Sequence, residues 1–287
     1  MSAEGLLLVD KPAGVTSHDV VNAARRALGE KRVGHAGTLD PFATGLLVVL
    51  AGRATRLVPH VSGDPKVYRA TVRFGAETDT EDLLGAVVRE APAPSEGAVR
   101  AALPRLVGVL EQVPPAYSAK RVQGRRAYDL ARAGEPVALA PARVRVDAFE
   151  LLAWRDGEHT EADVRVTCGP GTYIRSLARD LGRLVGSAAH LAALRRERSG
   201  RFDVRDAVPL DALRTGGARV LPPLAAVPEH PVQRLDAVDV RRVTGGIRVR
   251  ATAEGRWAAL TDDASGALVA LGERVGDAWQ PRVVLHG

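Results

Sequence analysis

Gly34-His35-Ala36-Gly37-Thr38-Leu39-Asp40-Pro41-Phe42-Ala43-Thr44-Gly45 places three glycines, a histidine and an Asp-Pro step within twelve residues, and Leu46-Leu47-Val48-Val49-Leu50 follows at once. The apolar run is short and bounded by turn residues, which reads as a buried strand. Asp40 precedes Pro41, and that position steers a residue toward extended backbone and away from helix. A tight loop therefore carries a carboxylate to the start of a buried strand. Such an aspartate is commonly an Asx-turn or a cap. It is also a candidate for chemistry, and spacing alone leaves both readings open.

Working outward from the loop, residues 5–10 read as a short strand. Ser17 reads as the N-cap of a helix with Val20, Val21, Ala24, Ala27 and Leu28 on one face. Downstream, Lys66–Phe74 alternates, with Tyr68, Ala70, Val72 and Phe74 on one face of a strand. Residues 95–107 and 125–133 read as helices, and 143–153 and 161–168 as strands. Gly169-Pro170-Gly171 turns into a helix with Ile174, Leu177, Ala178, Leu181, Leu184 and Val185 at helical spacing, and a second helix is expected over about 187–196. Pro222, Pro223, Pro228 and Pro231 mark a linker. Beyond it, strand candidates at 256–261, 267–272 and 281–285 predict a small all-β module. The fold class is α+β, with one domain over 1–228 and a small β-rich module over 229–287.

Composition bounds the function. With 46% hydrophobic and 26% charged residues the chain is that of a folded protein able to bury a core. No apolar run approaches the roughly 18 residues needed to span a bilayer, and the N-terminus lacks the pattern of a signal peptide. A cytoplasmic location is the expectation. The single cysteine, Cys168, excludes an intramolecular disulfide and a Cys-cluster metal site. Walker, Rossmann, HExxH and nucleophile-elbow patterns are all missing, and the seven histidines have no metal spacing.

Charge is more informative. The net charge is +6, and only four of the 40 basic residues are lysine, an arginine bias that a GC-rich genome would also produce. Yet residues 165–205 hold nine arginines against Asp180, Glu197 and Asp203, an excess as large as that of the whole chain. A basic segment of this kind reads as a polyanion site, with nucleic acid the leading candidate. Arg175, Arg179 and Arg183 form an i, i+4, i+8 stripe; it is either part of that site or a solvated helix face. Arg175 sits in the first turn, where the helix dipole opposes a cation, so a carboxylate or phosphate is expected beside it. Tyr68 reads as a core aromatic or a site residue. Asp79, Glu81 and Asp82 read as a helix cap rather than a Mg²⁺ site.

Five segments in order resemble the TruB family of pseudouridine synthases. Residues 34–45 resemble its catalytic-aspartate motif, and Asp10-Lys11-Pro12-Ala13-Gly14 its N-terminal Lys-Pro motif. Lys66-Val67-Tyr68 with Gly75 and Thr78-Asp79-Thr80 resembles its tyrosine motif. Gln112-Val113-Pro114-Pro115-Ala116-Tyr117-Ser118-Ala119-Lys120 resembles its Pro-Pro-Tyr-Ser-Ala-Lys segment. Gly171-Thr172-Tyr173-Ile174-Arg175 with Leu194-Arg195-Arg196 resembles its arginine motif and the helix beyond. The tail from about 232 resembles, loosely, an RNA-binding PUA module.

The resemblance implies a pseudouridine-synthase fold built on a central mixed, largely antiparallel sheet. It implies isomerisation of the T-loop uridine of tRNA, position 55, after base flipping, with no cofactor and no metal. The implied partner is the T-stem-loop of tRNA, without guide RNA and without a membrane, and the enzyme is expected to be a monomer. Asp40 is implied as the catalytic residue, Tyr68 as the base that packs on the uracil, and Arg175 as the partner of Asp40. His35 is implied to fill the place of the flipped base. Leu194, Tyr173 and Lys11 are implied on the substrate side.

Overall fold

The computed structural model describes residues 3–61, 63–118, 120–122, 124–135 and 137–285. The chain divides into two units, one comprising Met1–Pro41, Leu46–Ser62 and Val204–Gly287, the other Phe42–Gly45 and Gly63–Asp203. The largest sheet is mixed and largely antiparallel.

In the first unit, β1 (Gly5–Lys11) is buried almost throughout and pairs parallel with Val208–Pro209. Helix α1 (Ser17–Leu28) buries Val20, Val21 and Ala24 against Leu7, Val9, Leu47, Val49, Leu210 and Leu213. Its N-cap is Thr16 and not Ser17. Thr16 Oγ1 accepts from the Asp19 N–H at 3.1 Å while Asp19 Oδ2 accepts from the Thr16 N–H at 2.8 Å, so Thr16-x-x-Asp19 is a capping box. Ser17 is one residue inside, its hydroxyl free for a tertiary contact. Strand β2 (Val33–His35) pairs antiparallel with β3 (Thr44–Ala51), whose last six residues lie in this unit.

In the second unit, Thr44 and Gly45 of β3 pair parallel with a central strand, followed by four antiparallel neighbours. These strands are β4 (Lys66–Phe74), β5 (Gly108–Gln112), β6 (Ala142–Arg155), β7 (Glu161–Cys168) and β8 (Ala189–Ser199), in spatial order β3-β8-β4-β7-β6-β5. Tyr68, Ala70, Val72 and Phe74 of β4 are buried as the alternation predicts. On the other face Arg69, Thr71 and Arg73 meet Asp163 and Glu161, which Arg155 also binds at 2.7 and 3.1 Å. Helix α2 (Ile174–Leu184) carries the predicted apolar face. The 95–107 reading resolves into a helix, Glu96–Ala102, capped by Ser95, and a 3-10 turn, Leu103–Leu106. The 125–133 helix is shorter, Ala127–Arg132.

The helix expected over 187–196 is strand β8. Ala, Leu and Arg dominate that stretch and favour helix by propensity. In the fold it lies between β3 and β4, where ladder hydrogen bonds on both sides and burial of Leu191, Leu194 and Arg196 outweigh a few tenths of a kcal/mol per residue of propensity.

The tail returns to the first unit. Strands β9 (Val232–Leu235), β10 (Val249–Arg250), β11 (Trp257–Asp262), β12 (Leu268–Val275) and β13 (Ala278–Val284) form a sheet of order β9-β11-β12-β13-β10. The tail is not all-β. Helix α3 (Ala237–Thr244), capped by Asp236, packs Val243 into a core around the fully buried Trp279. Trp279 donates its indole N–H to Gln233 Oε1 at 2.7 Å. The 3-10 segment Gly52–His60 that follows β3 holds this sheet. Arg53 and Arg56 donate to the Leu285 and Val284 carbonyls at 2.9 and 2.6 Å, and His60 meets the Trp257 ring edge-on at 4.8 Å.

Candidate active site

The loop between β2 and β3 is held from behind by groups the sequence scatters. The Ser17 hydroxyl donates to the Leu39 carbonyl at 3.0 Å and accepts from the Leu39 N–H at 2.9 Å, locking the residue before Asp40. The Pro41 carbonyl accepts from the Gly14 N–H at 2.9 Å and from Lys11 Nζ at 3.3 Å. Lys11 is fully buried and also donates to the Pro12 and Val15 carbonyls at 2.9 and 2.7 Å. The Lys-Pro motif therefore braces the Asp-Pro turn. Asp40 itself is half-buried between buried Leu39 and Phe42, and His35 is half-buried in β2, opposite Val49.

In the second unit the loop's exit joins the sheet. Gly45 is the register partner of Arg196, and Arg196 that of Tyr68, so the three form a row across β3, β8 and β4. At the usual strand spacing the ends of that row are about 10 Å apart. Gly45 has φ +101°, and a Cβ there would lie 2.3 Å from the Arg196 carbonyl oxygen. Only glycine admits that approach with that backbone. Leu194, buried and paired with Ala70, accepts from the Thr44 hydroxyl at 3.5 Å. Tyr68 and Leu194 thus belong to adjacent strands, β4 and β8, of the second unit.

Arg175 stands in the first turn of α2, 4% exposed. Its guanidinium donates to the Thr80 and Tyr117 carbonyls, each at 2.8 Å, and lies 3.7 Å from Asp82. The carboxylate expected beside it is there, supplied by a residue 93 positions earlier in the chain. Asp82 is fixed in turn by the Thr80 hydroxyl at 2.7 Å and the Leu84 N–H at 3.0 Å. Tyr173 is the N-cap residue, and its backbone is clamped by the Gln112 amide, which accepts at 2.9 Å and donates at 3.1 Å.

Two residues of the arginine stripe, Arg175 and Arg179, are buried, Arg183 is exposed, and all three are paired with acids. Arg175 meets Asp82, Arg179 pairs with Glu81, and Arg183 binds Glu77 at 2.6 Å. Two of the acids read as a cap, Glu81 and Asp82, are partners of that stripe, and Glu77 is the third. Among the described residues no group of three or more His, Cys, Asp or Glu is arranged to hold a metal ion. Further along, Arg165 lies 3.4 Å from Glu197 and Arg198 3.9 Å from Asp203, while Arg196 is buried. Counting charge within 165–205 therefore overstated the free positive surface, because acids from residues 77–82 neutralise part of it.

Electrostatics follow burial and pairing. Hydrogen bonds from Arg183 and then Arg89 hold the Glu77 carboxyl below its ordinary range against the effect of burial. Burial lowers the Lys66 ammonium, with Arg196 nearby adding to the effect. Burial pushes the Cys168 thiol up to about 11, which removes it as a thiolate nucleophile at neutral pH.

Known proteins share this architecture. The chain superposes on an archaeal structure described as the box H/ACA sRNP Nop10–Cbf5 complex with a TM-score of 0.71 at 25% identity, covering 99% of this chain and 86% of that one. A structure of an H/ACA RNP bound to a substrate RNA containing 2'-deoxyuridine superposes with a TM-score of 0.70 at 24% identity, 99% of this chain and 85% of that one being covered. The fold is that of the pseudouridine synthases. Residues 25–174 match the model of the TruB family pseudouridylate synthase N-terminal domain, and 175–218 that of the tRNA pseudouridylate synthase B C-terminal domain. A protein of Thermobifida fusca named tRNA pseudouridine synthase B is 47% identical over 99% of both chains. One of that name from Mycobacterium sp. (strain KMS) is 53% identical over 73% of this chain and 71% of its own. The chain belongs to the TruB family of pseudouridylate synthases.

The site roles of Asp82, Thr80, Gln112 and Ser17 escaped sequence reasoning, which reads Ser17 and Asp82 only as caps. Thr80 and Gln112 lie inside quoted motifs, so their positions were visible while their partners were not.

Proposed function

We propose that this enzyme isomerises the T-loop uridine of tRNA, position 55, to pseudouridine, acting alone, as a monomer, in the cytoplasm, without guide RNA, cofactor or metal. The likeness over nearly the whole chain to relatives named tRNA pseudouridine synthase B carries this reading.

The reaction breaks a C–N glycosidic bond, turns the base and closes a C–C bond, so it needs no redox partner and no energy input. Asp40 is the group that reacts reversibly with the nucleoside. A carboxylate of ordinary pKa, about 3.9, is ionised at neutral pH and serves as nucleophile or base. Burial against a flipped base would raise that pKa, and Arg175 as its cationic partner keeps it charged. Tyr68 packs on the uracil and accepts the C5 proton. Leu194 and Tyr173 line the uracil pocket, His35 fills the gap left in the RNA stack, and Lys11 contributes through the loop it braces. Flipping costs a few kcal/mol, which these contacts offset. Residues 229–287 add affinity for tRNA outside the T-loop.

The test is incubation of the purified chain with an unmodified tRNA transcript, followed by mapping of pseudouridine. Product at the T-loop uridine with no added RNA or protein is expected. Product only after a guide RNA is added, or none at all, would overturn the stand-alone reading.

A further inference from the structure

Glu81 is the only non-glycine residue with left-handed backbone, φ 61°, among the described residues. That conformation is strained for an L-residue, and glycine would adopt it without strain. The chain instead carries a charged side chain there, 8% exposed. Its carboxylate forms an ion pair with Arg179 through one oxygen and accepts from the Ser176 hydroxyl at 2.8 Å through the other. Its backbone carbonyl accepts from the Leu191 N–H at 3.1 Å. A strained, buried, fully engaged acid points to a demand on this turn that a glycine would not meet.

That demand lies in the neighbouring residues. Thr80 supplies the carbonyl that Arg175 grips, and Asp82 supplies its carboxylate. Ser176 and Arg179 lie one and four positions beyond Arg175 on the same helix, and i, i+4 residues share a face. Glu81 thus ties residues 80–82 to the very turn that presents Arg175. Burial raises the Glu81 carboxyl, while Arg179, Ser176 and, at longer range, Arg175 hold it down.

We infer that Glu81 is a positioning residue, which holds the Thr80 carbonyl and the Asp82 carboxylate at Arg175 through its grip on Ser176 and Arg179. The inference rests on the assignment of Arg175 to the active site.

The experiment compares Glu81→Gln, Arg175→Lys and the double variant of the full chain in single-turnover pseudouridine formation on a tRNA transcript. tRNA affinity and thermal unfolding are measured on the same preparations. Glutamine keeps the volume and an acceptor for Ser176 and removes the charge that holds Arg179. Glu81→Gln should slow the reaction about tenfold with tRNA affinity unchanged, because a misplaced group of this kind acts on the rate. The double variant should be no slower than Arg175→Lys, because the two residues act as one unit. Rates that multiply in the double variant, or a wild-type rate in Glu81→Gln, overturn the inference. A wild-type rate in Arg175→Lys instead removes Arg175 from the site and sinks the reading beneath. If Glu81→Gln does not fold, Glu81→Gly, which relieves the backbone while deleting the carboxylate, takes its place with the same outcomes.

Discussion

Replacing Gly45 with alanine tests the joint between the Asp40 loop and the sheet. The added Cβ would sit 2.3 Å from the Arg196 carbonyl oxygen, 2.8 Å from its nitrogen and 3.0 Å from its carbonyl carbon, all of them backbone atoms that cannot rotate away. The backbone at φ +101° is itself unfavourable for alanine, at about 1–3 kcal/mol. Relief of the overlap adds about 1–3 kcal/mol. The sum, roughly 2–6 kcal/mol, is a large part of a typical stability of about 5–15 kcal/mol, and Tm should fall by roughly 10 °C. If the start of β3 moves off β8 by about 1 Å, the Asp40 loop five residues upstream moves with it. The single-turnover rate should then drop on the order of a hundredfold. Gly34→Ala is the control in the same motif: its Cβ would meet nothing within 4 Å, so stability should change by less than about 0.5 kcal/mol. Thermal unfolding and pseudouridine formation on one tRNA preparation measure both effects. A Gly45→Ala protein with wild-type Tm and rate would refute the reasoning.

Asp40→Asn should leave tRNA affinity at fixed salt unchanged, since phosphate contacts dominate it, while product formation falls by orders of magnitude; substantial product from this variant would remove Asp40 from the chemistry. Glu77, with its folded pKa depressed by Arg183 and Arg89, contributes stability that is fully present above about pH 4.3 and lost as pH falls through the lower folded value. Glu77→Gln should flatten the stability profile across that acid window, and an unchanged acid limb in urea titrations would count against it. Trp279→Ala empties the centre of the tail core and should cost about 3–5 kcal/mol there. Full-length tRNA should bind more weakly while a minimal T-stem-loop is still converted; loss of both activities in a folded variant would place the tail within the catalytic machinery.

Much of the protein is legible without coordinates. The Asp40 loop, the alternation of β4 and the helical spacing of α2 are local signals, because a run of a few residues fixes which face is buried. Five ordered motifs identified the family, and with it the reaction. The N-cap was misplaced by one residue, since Thr16 and Ser17 are both good caps and only hydrogen bonding chooses between them. Strand β8 read as a helix because its composition favours helix; what makes it a strand is the pair of neighbours contributed by residues 44–45 and 66–74. The arginine stripe read as a polyanion site because charge was counted along the chain, whereas Glu77, Glu81 and Asp82 reach it from about a hundred residues away. By itself the sequence determined the local elements, the candidate chemical groups and the family. The tertiary structure alone decided which charges are neutralised, which backbone carbonyls hold Arg175, and why Gly45 must lack a side chain. Those outcomes depend on distances between segments remote in sequence, and no local pattern encodes a distance.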